Sequence, residues 1–258
     1  MLENTHIIVK IIFLCSAGFL AAFVDAIAGG GGLISVPGYF AIGFPPHFTL
    51  GTNKFSSSFG SITSTLRFAK SGKVDKNLLK ILLPFVFLGA VVGVSSVLVL
   101  DPNILKPIVL ILLVSVGIYS FFSKSVGLED KYQGTNKKNL TIGCIFAFFM
   151  GFYDGFFGPG AGSFIIFGLI SIYGFDFVRA SGNAKAMNFT SNITSVVLFA
   201  INGKIYYLMG IPMAIFMILG ARVGSKLALK EGAKFIKPIF VTMSLAVAGK
   251  MLYEMIFK

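Results

Sequence analysis

The sequence predicts an all-α polytopic membrane protein made of two inverted-topology repeats, and three observations carry that prediction. The first is composition. Of 258 residues, 55% are hydrophobic and only 12% charged, with mean hydropathy +0.87; a soluble domain of this length needs far more polar surface. The second is an internal duplication. Residues 15–32, CSAGFLAAFVDAIAGGGG, match residues 144–162, CIFAFFMGFYDGFFGPGAG, with Asp25 and Asp154 separated by 129 positions. After a two-residue insertion an offset of 131 pairs Thr52-Asn53-Lys54 with Asn183-Ala184-Lys185, and Gly89-Ala90-x-x-Gly93 with Gly220-Ala221-x-x-Gly224. The third is charge. Residues 66–80 carry Arg67, Lys70, Lys73, Lys76 and Lys80, whereas their counterparts 197–211 carry Lys204 alone. Residues 226–237 carry Lys226, Lys230, Lys234 and Lys237, against Lys106 alone in 95–106. By the positive-inside bias, matching loops then face opposite sides of the membrane.

Opposite orientation requires an odd number of crossings per half. The apolar runs give 7–28, a short 33–43, 49–69, 78–100 and 104–122 in the first half. The second half gives 140–157, a short 160–173, 181–201, 205–228 and 236–257. That is about five segments each, eight to ten in total, since the short ones rise only about 16 Å and can be re-entrant or half-helices. The repeats are placed at 1–123 and 139–258. The linker 124–138, with Lys124, Lys131, Lys137 and Lys138, is assigned to the cytoplasmic side, and both termini outside. The first run is read as part of the mature fold: only Glu3, His6 and Lys10 charge its start, and its glycine cluster recurs later.

A net charge of +12 invites a nucleic-acid reading. The cations lie in short stretches between apolar runs, and no basic groove interleaved with aromatics is visible, so no nucleic-acid partner is expected. The expected partners are the lipid bilayer and a small anionic substrate; self-association is left open. Cys15 and Cys144 sit in apolar runs outside any CxxC spacing, and His6 and His47 lie outside the runs, so no metal site or cofactor is expected. A membrane-embedded enzyme is disfavoured for want of Ser/His, Cys/His, HExxH or phosphate-loop patterns; an Asp25/Asp154 protease dyad is the one enzymatic option.

Polar groups inside a bilayer need a partner or water. Gly29-Gly30-Gly31-Gly32 and Gly158-Pro159-Gly160-Ala161-Gly162 interrupt helices, freeing backbone N–H groups that the next half-helix can offer to an anion. A pair of short, Gly/Pro-interrupted segments in inverted halves points to a transporter's binding site; close helix packing is the alternative. Lys54, Ser57, Ser61 and Ser64 share one helix face, as do Lys185, Asn188, Asn192 and Ser195, with Asn53 and Asn183 near the helix starts. An ammonium with amides and hydroxyls on one stripe suits an oxyanion; snorkelling lysines and helix-gluing polar residues are the alternative. Asp25 and Asp154 would repel an anion, so each either carries a proton in coupling or balances a lysine. The binding set is thus Gly29, Gly30, Gly31, Gly32, Asn53, Lys54, Ser57, Gly158, Gly160, Gly162, Asn183, Lys185 and Asn188.

The pattern D-x-x-A-G-G-G-G-x-x-x-x-P at Asp25–Pro37, then G-T-N-K at Gly51–Lys54, resembles the TauE/SafE family of membrane transporters, as does G-F-x-D-G-F-F-G-P-G-x-G at Gly151–Gly162. The resemblance covers essentially the whole chain. Here Ser181-Gly182-Asn183-Ala184-Lys185 replaces a Thr/Ala-rich stretch common before the family's lysine. The resemblance implies a secondary transporter, an exporter, of sulfite, an organosulfonate or a related sulfur oxyanion, in the inner membrane of a bacterium. A passive anion channel of the same architecture is the alternative.

Overall fold

The computed structural model describes residues 2–122 and 129–231. Among the described residues the chain forms nine helices and no strand: α1 Leu2–Ala28, α2 Gly32–Ala41, α3 Pro46–Lys70, α4 Lys76–Leu98, α5 Pro102–Phe122, α6 Lys137–Phe156, α7 Ala161–Tyr173, α8 Phe177–Ile201 and α9 Tyr207–Glu231. The first nine expected segments each lie within a few residues of one of these. The expected tenth segment, 236–257, falls outside the described residues, as do Lys124, Lys234 and Lys237.

Local chemistry sets the helix ends. Asp75 caps α4 by accepting from Leu78 N, and Asp176 caps α8 by accepting from Val178 N and Arg179 N. Asn136 and Asn139 form a reciprocal capping box at α6. Left-handed glycines close the turns at matching places: Gly43 and Gly174, Gly72 and Gly203, Gly29 and Gly158 all have positive φ. Glycines at equivalent positions of the two halves thus share this conformation.

α1, α4, α6 and α9 are each long and apolar enough to cross a bilayer. α2 and α7 instead fold back. Gly31 packs on Ala21 and Asp25 while Gly38 faces Ala17 and Leu14, so α2 runs antiparallel along α1. In α7, Gly168 lies on Phe146 and Tyr173 reaches Gly143, the same reversal on α6. At 10 and 13 residues these helices are about 15 and 20 Å long, too short to span. Each therefore doubles back along the helix that precedes it.

The halves interlock through small residues. On α4, a Cβ at Gly89 or Gly93 would run into the backbone carbonyls of Phe148 or Phe152 on α6. On α9, Gly220 and Gly224 meet the carbonyls of Phe19 and Phe23 on α1 in the same way. α3 and α8, 25 residues each, occupy the centre. The start of α3 holds the turn before α9: Thr52 Oγ1 accepts from Tyr206 N at 3.0 Å. The start of α8 holds the turn before α4: Asn183 Oδ1 accepts from Asp75 N at 2.9 Å. Since α3 ends at the α4 turn, the matching turns 71–75 and 202–206 lie about 27 Å apart along α3.

Candidate functional site

α3 and α8 are long enough to span, yet their faces are too polar to meet lipid. Folding buries those faces: Asn53, Lys54, Ser61 and Ser64 on α3, and Lys185, Asn188, Asn192 and Ser195 on α8 are all buried. The two stripes meet where Asn192 Nδ2 lies 3.4 Å from Ser61 Oγ.

Both lysines find a carboxylate in the opposite half. Lys54 Nζ on α3 donates to Asp154 Oδ1 on α6 at 2.6 Å, with both side chains almost wholly buried. Lys185 Nζ on α8 donates to Asp25 Oδ2 on α1 at 2.8 Å. A buried ammonium or carboxylate alone costs several kcal/mol, so each half supplies the countercharge that lets the other keep its lysine. The pairs are not equivalent. Lys185 is 0% exposed, whereas the Asp25 side chain is 25% exposed. Asp25 Oδ1 also accepts from Gly31 N at 3.3 Å, while Asp154 Oδ2 is buried with no hydrogen-bond partner.

The glycine breaks meet between these pairs. A Cβ at Gly29 would strike the backbone of Gly162 and Ser163, one at Gly32 would lie 2.8 Å from Pro159 Cα, and Ser163 Oγ donates to Ala28 O at 3.1 Å. At Gly158 a Cβ would stand 3.0 Å from Lys54 Nζ, so glycine there admits the ammonium. One freed N–H at the start of α2, that of Gly31, goes to Asp25 rather than to open space.

Beside the breaks lies a cavity of about 50 Å³. The first half contributes Asp25, Gly30, Gly31, Gly32, Asn53, Lys54 and Ser57 to its wall, and the second contributes Asp154, Gly158, Gly160, Gly162 and Asn188. Three of the expected residues are elsewhere. Gly29 is consumed in the contact between the breaks. Lys185 stands behind Asp25. Asn183 is used as a clamp, accepting from Asp75 N and donating to Arg179 O. Ala21, Ala22, Gly60 and Met217 also line the cavity. Ala21 and Ala22 sit one helical turn before Asp25, a spacing that could have flagged them; Met217 carries no such signal.

His47, expected outside the core, is buried: its Nε2 is 3.0 Å from the Val97 carbonyl oxygen, which ties the start of α3 to the end of α4. Among the described residues no three His, Cys, Asp or Glu side chains converge as metal ligands would. A polar cavity between two exchanged ion pairs, reached by broken helices, suits reversible binding of a small charged solute.

Comparison with known proteins finds membrane transporters. The family model for "Sulfite exporter TauE/SafE" matches residues 14–251. A Haemophilus influenzae protein named "probable membrane transporter protein" is 39% identical, over 93% of this chain and 94% of its own length. A Sinorhizobium relative, ORF9, is 38% identical over 94% and 92%. YfcA of Escherichia coli K12 is 37% identical over 91% and 87%; both carry the same transporter name. No solved structure gives a significant match. With its multi-pass helical architecture and a match along almost its entire length, the chain belongs to the sulfite exporter TauE/SafE family of membrane transporters.

Proposed function

We propose that this protein is a secondary transporter that exports a small sulfur-containing oxyanion, sulfite or a compact organosulfonate, by alternating access. The observation that carries the reading is the exchange of lysine–aspartate pairs between halves on either side of one central cavity. An oxyanion entering the cavity competes with Asp154 for Lys54, and Asn53, Ser57 and Asn188 line the wall as further polar partners. A cavity of about 50 Å³ has room for roughly three or four waters, the size of an inorganic oxyanion or a one-carbon sulfonate. The family's name supports sulfite and the outward direction. The charge asymmetry of matching loops supports inverted repeats in the cell membrane, with the lysine-rich 66–80 turn and the linker inside.

The test is flux of radiolabelled sulfite or methanesulfonate in proteoliposomes. The reading expects saturable uptake, acceleration by unlabelled anion on the far side, and loss of both in Lys54→Ala. Unchanged flux in that variant overturns the site. Single-channel currents without counter-transport would favour the passive channel, the competing reading, for which no structural feature speaks specifically.

A further inference from the structure

We infer that the two ion pairs have divided their labour: Asp154 takes up a proton each time Lys54 takes an anion, while Asp25 stays ionised on Lys185. This deepens the transport reading and rests on it. The starting point is an inequality between two residues that the sequence presents as equivalent. Asp25 has both oxygens occupied, Oδ2 by Lys185 and Oδ1 by the Gly31 N–H. Asp154 has only one, and its Oδ2 is buried without a donor. In addition, Lys54 lines the cavity and Lys185 does not. One pair meets the cavity through its carboxylate alone; the other meets it with both partners and keeps a carboxylate oxygen without a donor.

Charge decides what happens when the ligand arrives. The charged groups facing Asp154 are Lys54 on α3 and, across the cavity, Asp25 on α1, whose charge is held by Lys185 on α8; α7 and α9 contribute no charged side chain to the wall. If an anion draws the Lys54 ammonium away, Asp154 is left as a buried carboxylate without countercharge, a state that costs several kcal/mol. A proton on Oδ2 abolishes that cost. The carboxyl group then has an O–H to donate, and among the described residues Asn188 Oδ1, an acceptor on the same cavity wall, is likewise buried without a partner. The balance is simple: one anion and one proton enter, the Lys54 ammonium keeps its charge, Asp154 changes from carboxylate to carboxylic acid, and the net charge of the site is unchanged. The transported unit is therefore an anion with a proton, movement is electroneutral for a monovalent substrate, and export runs down the substrate's own gradient.

Methanesulfonate is the suitable probe, because its own charge does not vary with pH and any proton moved is the protein's. Wild type in detergent, in weak buffer, is expected to take up close to one proton per methanesulfonate bound. In proteoliposomes an imposed pH gradient is expected to drive methanesulfonate accumulation. Asp154→Asn is expected to lose both the proton uptake and the gradient-driven accumulation. Asp25→Asn, if it folds, retains proton uptake. Gradient-driven accumulation that survives in Asp154→Asn overturns the assignment. Binding by wild type without proton uptake overturns it even if both variants fail to fold. If wild type neither binds nor moves methanesulfonate or sulfite, the substrate reading fails instead, and the two failures are distinguishable.

Discussion

At the scale of the residue, the decisive quantity is the cost of an unpaired charge. Removing one partner of a buried ion pair typically costs about 3–5 kcal/mol, whereas replacing both by apolar side chains is often neutral. Lys54→Met and Asp154→Leu singly should therefore each lower the detergent melting temperature markedly. The double variant should recover stability and still transport nothing. A double variant as unstable as the singles would mean that the pair does more for the fold than neutralise itself. Asn183 belongs to a different class. Its amide bridges Asp75 N and Arg179 O, so Asn183→Ala should cost roughly 1–3 kcal/mol from orphaned backbone groups while leaving the KM for the anion near wild type; a large rise in KM would return Asn183 to the site. The two lysines were legible because an ionisable side chain in an apolar run is conspicuous. The crossing of their partners was not, since it depends on how one half sits on the other. The clamp at Asn183 does not show in residue type alone, although the register pairs it with Thr52, whose hydroxyl holds Tyr206 N in the mirror position.

At the scale of the element, glycine has two separable uses in this chain. Gly89, Gly93, Gly220 and Gly224 let helix backbones of opposite halves touch. A Gly89→Val or Gly220→Val substitution forces α4 from α6 or α9 from α1 and should cost at least about 1–3 kcal/mol, read as reduced yield and early unfolding in detergent. Gly43 has positive φ but nothing within 4 Å of its Cβ position, so Gly43→Ala should cost only the left-handed penalty, roughly 1–2 kcal/mol. Equal damage from the two would contradict a contact role for the first group. The repeated Gly-Ala-x-x-Gly served as a marker of duplication in the sequence, but nothing in one chain says which helix such a stripe will meet. The doubling back of α2 and α7 was likewise only half legible: their shortness follows from the flanking glycines, while their reversal depends on Gly31, Gly38 and Gly168 accepting α1 and α6 at close range.

At the scale of the whole molecule, the pseudo-symmetry that brings matching turns to opposite ends also makes those ends chemically unlike. At the 71–75 end, Arg179 of α8 reaches Asp75 at 2.9 Å and Asp130 of the linker at 3.2 Å, with its guanidinium 4.3 Å above the Tyr132 ring and 4.5 Å above Phe175. Burial, reinforced by the Asp75 carboxylate, pushes the Tyr132 phenol above its usual range, so that ring stays neutral under the cation. At the 202–206 end, Phe48 and Tyr206 stand where Arg179 and Asp75 stand; Tyr206 packs edge-on against Phe44, and Lys204 lies 5.6 Å from the Phe48 ring centroid. If the repeats are inverted, cysteines placed at Lys73 and Lys204, with Cys15 and Cys144 changed to serine, label from opposite faces of a sealed vesicle; labelling from one face would remove that arrangement. Alternating access then requires each closure to break in turn, one ionic and one aromatic. Arg179→Ala removes the ionic closure alone. It should speed labelling of a cysteine at Ser57, on the cavity wall, from the Lys73 face while leaving the rate from the Lys204 face unchanged. High salt should do the same to the wild type, because partly exposed ion pairs are screened and aromatic contacts are not. Equal acceleration from both faces would mean that Arg179 holds the fold together rather than one gate.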